Sequence, residues 1–215
     1  MPSPQPRLDH VHHPASPRAV VLFLHGGQQQ SLGEVQDRHA SWWRVNRLAR
    51  SLVRWARRNE LALELVQFRY RGWNDPRDPS PVSDARWALD RVRTQWPDRP
   101  IVLVGHSMGG RTACRVADDP AVVGVVGLAP WLPQGEPISA LAGRDLHVIH
   151  GTADRWTSPR WSRDFVERCE GVAHAATWTA LPSVGHFMLR RVRTWRRFVE
   201  DSVLKIVDDA TDRQA

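Results

Sequence analysis

Ile101-Val-Leu-Val-Gly105-His-Ser107-Met-Gly109-Gly110 is the stretch of sequence that decides the fold. It begins with a wholly apolar run, which is typical of a strand buried on both faces of a parallel sheet. It continues as Gly-x-Ser-x-Gly, and a turn sharp enough to reverse a strand into a helix leaves no room for side chains beside the serine. The stretch therefore predicts a nucleophilic serine presented at the carboxyl end of a strand, in front of a helix.

Apolar runs of strand length recur along the rest of the chain. We predict strands at 19–24, 61–68, 101–104, 122–128 and 146–149, and a more polar one at 175–181. The segments between them carry apolar residues at helical spacing, notably over 45–56, 85–96, 161–169 and 188–199. Alternating strands and helices predict an α/β fold with three layers, in which helices cover a mainly parallel sheet of about six strands.

A base and an acid for the serine are expected at the same edge of the sheet. A serine hydroxyl needs a neighbouring imidazole to take its proton, and the imidazolium needs a carboxylate to orient and stabilise it. His186 follows the last predicted strand, and Asp154 follows the strand at 146–149. The sequence therefore predicts Ser107 as nucleophile, His186 as base and Asp154 as acid.

Other histidines and aspartates compete for these two roles. His106 adjoins the serine but would point away from it, and His150 ends a strand just before the acid loop, so we expect both to be structural or supporting residues. Asp75 and Asp78 lie in a proline-rich connection that precedes the serine. Asp145 precedes its strand and so belongs at the opposite edge of the sheet.

Backbone N–H groups near the serine are expected to stabilise a substrate oxyanion. The helix behind the serine presents unpaired N–H groups at its positive dipole end, and that of Met108 is the natural first donor. The second donor is assigned to Gly27 in Leu24-His25-Gly26-Gly27-Gln28, with Gln28 as the alternative. By itself this segment is more typical of a plain turn at the end of a strand.

Together these motifs resemble the α/β-hydrolase superfamily, and within it the small lid-less serine esterases of the dienelactone-hydrolase-like type. The resemblance rests on Leu24-His25-Gly26-Gly27, Gly105-His106-Ser107-Met108-Gly109-Gly110, His150-Gly151-Thr152-Ala153-Asp154 and Gly185-His186-Phe187, and spans about residues 19 to 207. It implies the α/β-hydrolase fold, whose members carry nucleophile, acid and base in this order. Relatives that are haloalkane dehalogenases or epoxide hydrolases are disfavoured, because they have a carboxylate where this chain has Ser107.

The resemblance also sets expectations for the domain boundaries. We expect a proline-rich N-terminal segment over 1–18, one hydrolase domain over 19–207 and a flexible tail over 208–215. The proline-rich segment is too short and broken for the strand hairpin that many members have. Only residues 129–145 separate two strands where many relatives insert a helical lid, so a minimal cap or none is predicted.

Three tryptophans follow predicted strands and are candidates for the walls of a substrate pocket. They are Trp73, Trp131 and Trp156, and packing of the loops alone would explain them equally well. Arg111 and Arg155 are candidates for contact with an anionic substrate, although a solvated surface arginine is the more usual case. His10, His12 and His13 have no assigned role; a metal site would need a fourth ligand that the sequence does not supply.

Composition narrows the choice of partner and location. The 215 residues carry a formal net charge of +7, but arginines are scattered over all predicted helices, so no nucleic-acid partner is expected. No apolar stretch is long enough to span a bilayer or to act as a signal sequence, and the expected location is the cytoplasm, without membrane attachment. The oligomeric state is left open.

The expected activity is hydrolysis of a carboxylic ester in a small-molecule substrate through an acyl-enzyme on Ser107, without a metal or organic cofactor. Thioesters and activated amides remain open, as does acyl transfer to an alcohol or amine. A binding protein that uses the fold without turnover is a third hypothesis, because fold alone does not fix function.

Overall fold

The computed structural model describes residues 4–213, and within them seven strands form one sheet in the order β1-β3-β2-β4-β5-β6-β7. The strands are β1 (Arg7–His12), β2 (Ala19–Leu24), β3 (Leu61–Gln67), β4 (Ile101–His106), β5 (Val122–Leu128), β6 (Asp145–Gly151) and β7 (Ala175–Leu181). All neighbouring strands are parallel except β1, which pairs with β3 in the antiparallel sense. The carboxyl ends of β2 to β7 therefore lie along one edge.

The helices of the described part of the chain fall between the strands, as the periodicity predicts. They are α1 (Ala40–Ser51), α2 (Val53–Arg58), α3 (Ser80–Gln95), α4 (Met108–Arg115), α5 (Pro159–Cys169) and α6 (Val192–Asp212). Every residue of β2, β3, β4 and β6 is buried, which requires cover on both faces of the sheet. The predicted α/β-hydrolase architecture is confirmed.

The first strand is the main difference from the expected fold. The structure has seven strands where about six were expected, because part of the proline-rich N-terminal segment pairs with the free edge of β3. Glu64 of β3 is fully buried there, and its two carboxylate oxygens lie 2.6 Å from His10 Nδ1 and 2.8 Å from His13 Nδ1. A strand held by polar contacts at a sheet edge lacks the apolar run that marks a central strand, so the sequence pattern did not reveal it.

Helix bounds also differ from the expected ones at the C-terminal end. Helix α6 begins at Val192 and not at Met188, since Met188 and Arg191 have φ angles of 55° and 53° that a helix does not accommodate. It then continues to Asp212, so the boundary expected at residue 207 falls inside a helix.

The connection between β5 and β6 carries no cap domain. Its only helical element is one 3₁₀ turn, Ser139–Leu141. Glu136 of this connection is buried and is held by Arg111 and Arg115, whose nitrogens lie 2.7 and 2.5 Å from its carboxylate oxygens. These ion pairs bind the short connection to α4, the helix that follows Ser107.

Candidate active site

Ser107 lies at the sharp turn between β4 and α4, in a backbone conformation that is unusual for a residue with a side chain. Its φ and ψ angles are 55° and −119°. A Cβ atom added to Gly105 would lie 2.3 Å from the carbonyl oxygen of Gly109, and one added to Gly109 would lie 2.1 Å from the carbonyl oxygen of Leu24. The two glycines therefore permit the turn that presents the serine at the edge of the sheet.

The side chains of Ser107, His186 and Asp154 form one hydrogen-bonded line. Ser107 Oγ lies 3.0 Å from His186 Nε2, and His186 Nδ1 lies 2.8 Å from Asp154 Oδ2. All three residues are buried, and they follow β4, β7 and β6 at the same edge of the sheet. The structure thus brings together the three residues that the sequence predicts as a triad, with the spacing that proton transfer from the serine requires.

The carboxylate of Asp154 is held by both of its oxygens. Oδ1 accepts the backbone N–H groups of Trp156 (2.8 Å) and Thr157 (3.0 Å), and Oδ2 contacts His186. Burial alone would raise the pKa of Asp154, but hydrogen bonds from His150, His186 and the Thr157 N–H outweigh it and hold the pKa well below its usual range. The acid therefore faces the imidazole as a fixed negative charge.

Two residues around this carboxylate support the arrangement. His150 Nε2 lies 3.1 Å from Asp154 Oδ2, and its Nδ1 lies 2.7 Å from Ser162 Oγ, consistent with the supporting role expected for it. Thr157, which the sequence analysis did not single out, has its Oγ1 2.9 Å from Asp154 Oδ2 and 3.2 Å from His186 Nδ1. Its position three residues after the aspartate is the turn spacing that could have revealed it.

Two backbone N–H groups are available beside Ser107. No hydrogen-bond acceptor is found among residues 4–213 for the N–H of Gly27 or of Met108. The N–H of Gln28 donates to the carbonyl oxygen of Arg71 over 2.7 Å, so the alternative donor considered from the sequence is already occupied. Gly27 and Met108 remain the candidates for an oxyanion hole.

Two buried neutral histidines hold the loops that carry these groups. His25 donates from Nδ1 to the carbonyl oxygen of Gly26 (2.7 Å) and accepts the N–H of Phe68 at Nε2 (3.1 Å), and burial lowers its pKa to about 4. His106 donates from Nε2 to the carbonyl oxygen of His186 (3.0 Å). Burial, and then the nearby His186, lower the pKa of His106 to about 3.

We expect these two histidines to make the fold sensitive to mild acid. Each has a folded pKa below its ordinary value of 6.5, so the unfolded chain binds more protons and stability falls as the pH drops below that value. From about pH 7.5 to pH 5 the two together should remove on the order of 4 kcal/mol from the free energy of unfolding. Urea unfolding at both pH values measures this difference. A decrease in the free energy of unfolding of less than about 1 kcal/mol would contradict the conclusion that His25 and His106 are buried as neutral side chains.

The triad opens into a cavity of about 470 Å³. Trp131 and Trp156 line it, and the ring of Trp156, which is 74% exposed, lies parallel to that of His186 at 6.5 Å between centroids. Trp73, in contrast, is only 2% exposed and does not line this cavity. The expectation of a pocket wall at Trp73 is corrected: its ring is buried and packs edge-on against that of Trp131.

The two arginines suggested for an anionic substrate lie elsewhere. Arg111 contacts two tryptophan rings, with its Cζ 4.0 Å from the centroid of Trp73 and 4.5 Å from that of Trp131, and its charge is paired with Glu136. Arg155 is exposed and does not line the cavity. Arg44 and Arg71 line it instead, and no pattern in the sequence singles them out.

One group within residues 4–213 has the composition of a metal site. His10, His13 and Glu64 place potential ligand atoms within 4.8 Å of one another, and none of the three lines the cavity at Ser107. The hydrogen bonds between the two imidazoles and the carboxylate account for the cluster as an attachment of β1. Among the same residues, no helix is both long and apolar enough to cross a bilayer.

A serine, an aspartate and a histidine in this chain order, at the carboxyl edge of a parallel sheet covered by helices, define a hydrolase-type α/β protein. Residues 21–214 match the model of the Alpha/beta hydrolase family. The chain belongs to that family.

Solved structures show the same fold over nearly the whole chain. A lid-less α/β serine hydrolase, XC6422 from Xanthomonas campestris, is 21% identical with a TM-score of 0.69, covering 93% of this chain and 88% of that one. Est1E from Butyrivibrio proteoclasticus with ferulic acid bound is 12% identical with a TM-score of 0.70, and the match covers 95% of both chains. These likenesses concern the fold.

A curated relative matches a shorter stretch. Lysophosphatidylserine lipase ABHD12 from Macaca fascicularis is 28% identical over 99 residues, which are 44% of this chain and 21% of the lipase. The chain thus matches about a fifth of the length of that relative.

Proposed function

We propose that this protein is a serine hydrolase that cleaves a carboxylic ester of a small molecule through an acyl-enzyme on Ser107. The observation that carries the proposal is the line from Ser107 Oγ through His186 to Asp154, with distances of 3.0 and 2.8 Å, beside two N–H groups without acceptors. Nucleophile, base, orienting acid and oxyanion donors are the parts that acyl transfer requires.

In the proposed reaction, Ser107 Oγ attacks the ester carbonyl while His186 Nε2 takes its proton. The carbonyl oxygen becomes an oxyanion and accepts hydrogen bonds from the N–H groups of Gly27 and Met108. Asp154 stabilises the imidazolium, which then donates its proton to the leaving alkoxide. Water, deprotonated by His186, attacks the acyl-enzyme and releases the acid and Ser107.

Carboxylic esters are the first substrate class because the site is open, small and without a lid. The names of similar proteins, a lysophosphatidylserine lipase and Est1E with ferulic acid bound, are compatible with this choice. Thioester hydrolysis and acyl transfer use the same residues, and they would show as turnover of thioesters or as product formation that depends on an added alcohol.

A panel of 4-nitrophenyl esters, from acetate to octanoate, tests the proposal. We expect the wild-type protein to hydrolyse at least one of them with a kcat at least about 10³-fold above that of Ser107→Ala, and the chain-length profile to measure the acyl pocket. Ser41→Ala is a matched control, because Ser41 lines the same cavity and takes no part in the hydrogen bonds of the triad. A folded wild-type protein that cleaves no ester faster than Ser107→Ala would support the binding-protein hypothesis.

A further inference from the structure

We propose that Arg44, together with Arg71, forms an anion-binding subsite beside Ser107, which selects esters whose acyl or alcohol part carries a carboxylate. This inference rests on the proposed function, since it concerns the substrate of the same site.

Arg44 is a cation without a counter-charge. It belongs to α1, and its guanidinium carbon lies 4.8 Å from the ring centroid of Phe187, the residue after the candidate base. Its Nε is buried and has no hydrogen-bond partner, and no carboxylate among residues 4–213 pairs with it. Arg44 is only half-buried and lines the cavity, so its unpaired charge is available to a bound anion.

Arg71 adds a second positive charge to the same cavity. It lies in the connection after β3, next to the loop that carries Gly27, and its carbonyl oxygen is fixed by the N–H of Gln28. Its guanidinium makes no hydrogen bond or ion pair with the described residues.

The cavity contains no acid to neutralise these two charges. Its lining residues include Arg44, Arg71 and His39, and none of them is aspartate or glutamate. Like charges in a cleft with apolar walls concentrate a positive potential and raise the local concentration of anions. A guanidinium also matches the planar geometry of a carboxylate, with which it forms two parallel hydrogen bonds.

The subsite and the candidate reaction centre share one cavity, lined by Ser107, His186 and Gly27 as well as by Arg44. An ester bound through a remote carboxylate would therefore have its carbonyl group beside the serine. Binding energy at a remote anionic group can position the reacting carbonyl, so its loss should lower kcat/KM for anionic esters selectively.

Two esters that differ by one negative charge and one methyl group test the inference. The probes are the mono-4-nitrophenyl ester of glutaric acid and its neutral methyl ester, assayed with wild type, Arg44→Gln, Arg44→Lys and Arg47→Gln. Arg47 is the matched control, because it lies one turn along α1, is exposed, contacts the ring of Trp43 and does not line this cavity.

We expect the wild type to prefer the anionic ester. Arg44→Gln should lower kcat/KM for that ester about 30-fold, as expected for loss of a charge-assisted hydrogen bond, and leave the neutral ester within about 3-fold. Arg44→Lys should restore part of the loss, and Arg47→Gln should resemble wild type. Equal cleavage of both esters by wild type and Arg44→Gln would overturn the subsite while leaving the serine chemistry in place.

A binding measurement separates the subsite from turnover. Glutarate should raise the melting temperature of wild type and of Arg47→Gln, but not that of Arg44→Gln, and inorganic phosphate in a parallel titration should be the weaker ligand. If glutarate stabilises wild type but not Arg44→Gln, and neither ester is cleaved, the subsite is supported and only the proposed function is contradicted. An equal effect of glutarate on wild type and Arg44→Gln would contradict the subsite.

Discussion

Asp154→Asn is expected to lower kcat for ester hydrolysis about 10⁴-fold without unfolding the protein. The backbone N–H groups of Trp156 and Thr157 both donate to Oδ1, so the amide oxygen of the variant should take that position. The amide NH₂ then faces His186 Nδ1 and donates to it. That interaction places the imidazole proton on Nε2, where it blocks proton transfer from Ser107.

The matched control for this variant is Asp75→Asn. Asp75 is one of the three rival acids in the sequence, and in the structure its carboxylate accepts the N–H of Arg77 and does not contact the triad. We expect wild-type kcat and melting temperature for Asp75→Asn, and a lowered melting temperature but a folded protein for Asp154→Asn, which loses the carboxylate charge that the fold stabilises. If Asp154→Asn retained kcat within about 10-fold of wild type, Asp154 would not be the orienting acid.

Gly109→Ala is expected to destabilise the protein by about 3 kcal/mol and to disrupt the serine turn. The added methyl would lie 2.1 Å from the carbonyl oxygen of Leu24 and 2.6 Å from that of His25, which are backbone atoms that no rotamer change can move. The end of β2 must shift, and it carries the loop with Gly27. The melting temperature should fall by about 10 °C, and kcat should fall by at least 10²-fold.

Gly33→Ala is the control for this effect, since a Cβ there meets no atom closer than 3.4 Å. It should change the free energy of unfolding by less than about 0.5 kcal/mol. A Gly109→Ala protein with wild-type melting temperature and kcat would show that the close approach of α4 to β2 does not constrain the turn.

The central strands and the candidate triad could be predicted because their signals are local. Strand β4 is an uninterrupted apolar run, and the glycines around Ser107 follow from the sterics of one turn. The carboxyl ends of parallel strands lie at the same edge of a sheet, so Asp154 and His186, which follow such strands, are expected beside the serine without any knowledge of side-chain packing.

The remaining features depend on contacts between distant segments. Strand β1 is held by the pairing of His10 and His13 with Glu64, more than fifty positions along the chain. Trp73 is buried against Arg111 and does not line the cavity. Arg44 does line the cavity, but it belongs to α1, whose sequence pattern indicates only an apolar face. No local sequence pattern shows whether the side chain of a loop residue will line the cavity or be buried under the loop.

Covalent labelling by a fluorophosphonate tests the central claim most directly. The wild-type protein should gain one phosphonyl group, and peptide mass spectrometry should locate it on Ser107, whose hydroxyl the His186 imidazole activates. Ser107→Ala should remain unlabelled under the same conditions, and Asp154→Asn should label more slowly than wild type. A folded wild-type protein that stays unlabelled, or that is labelled equally in Ser107→Ala, would contradict the assignment of Ser107 as the nucleophile.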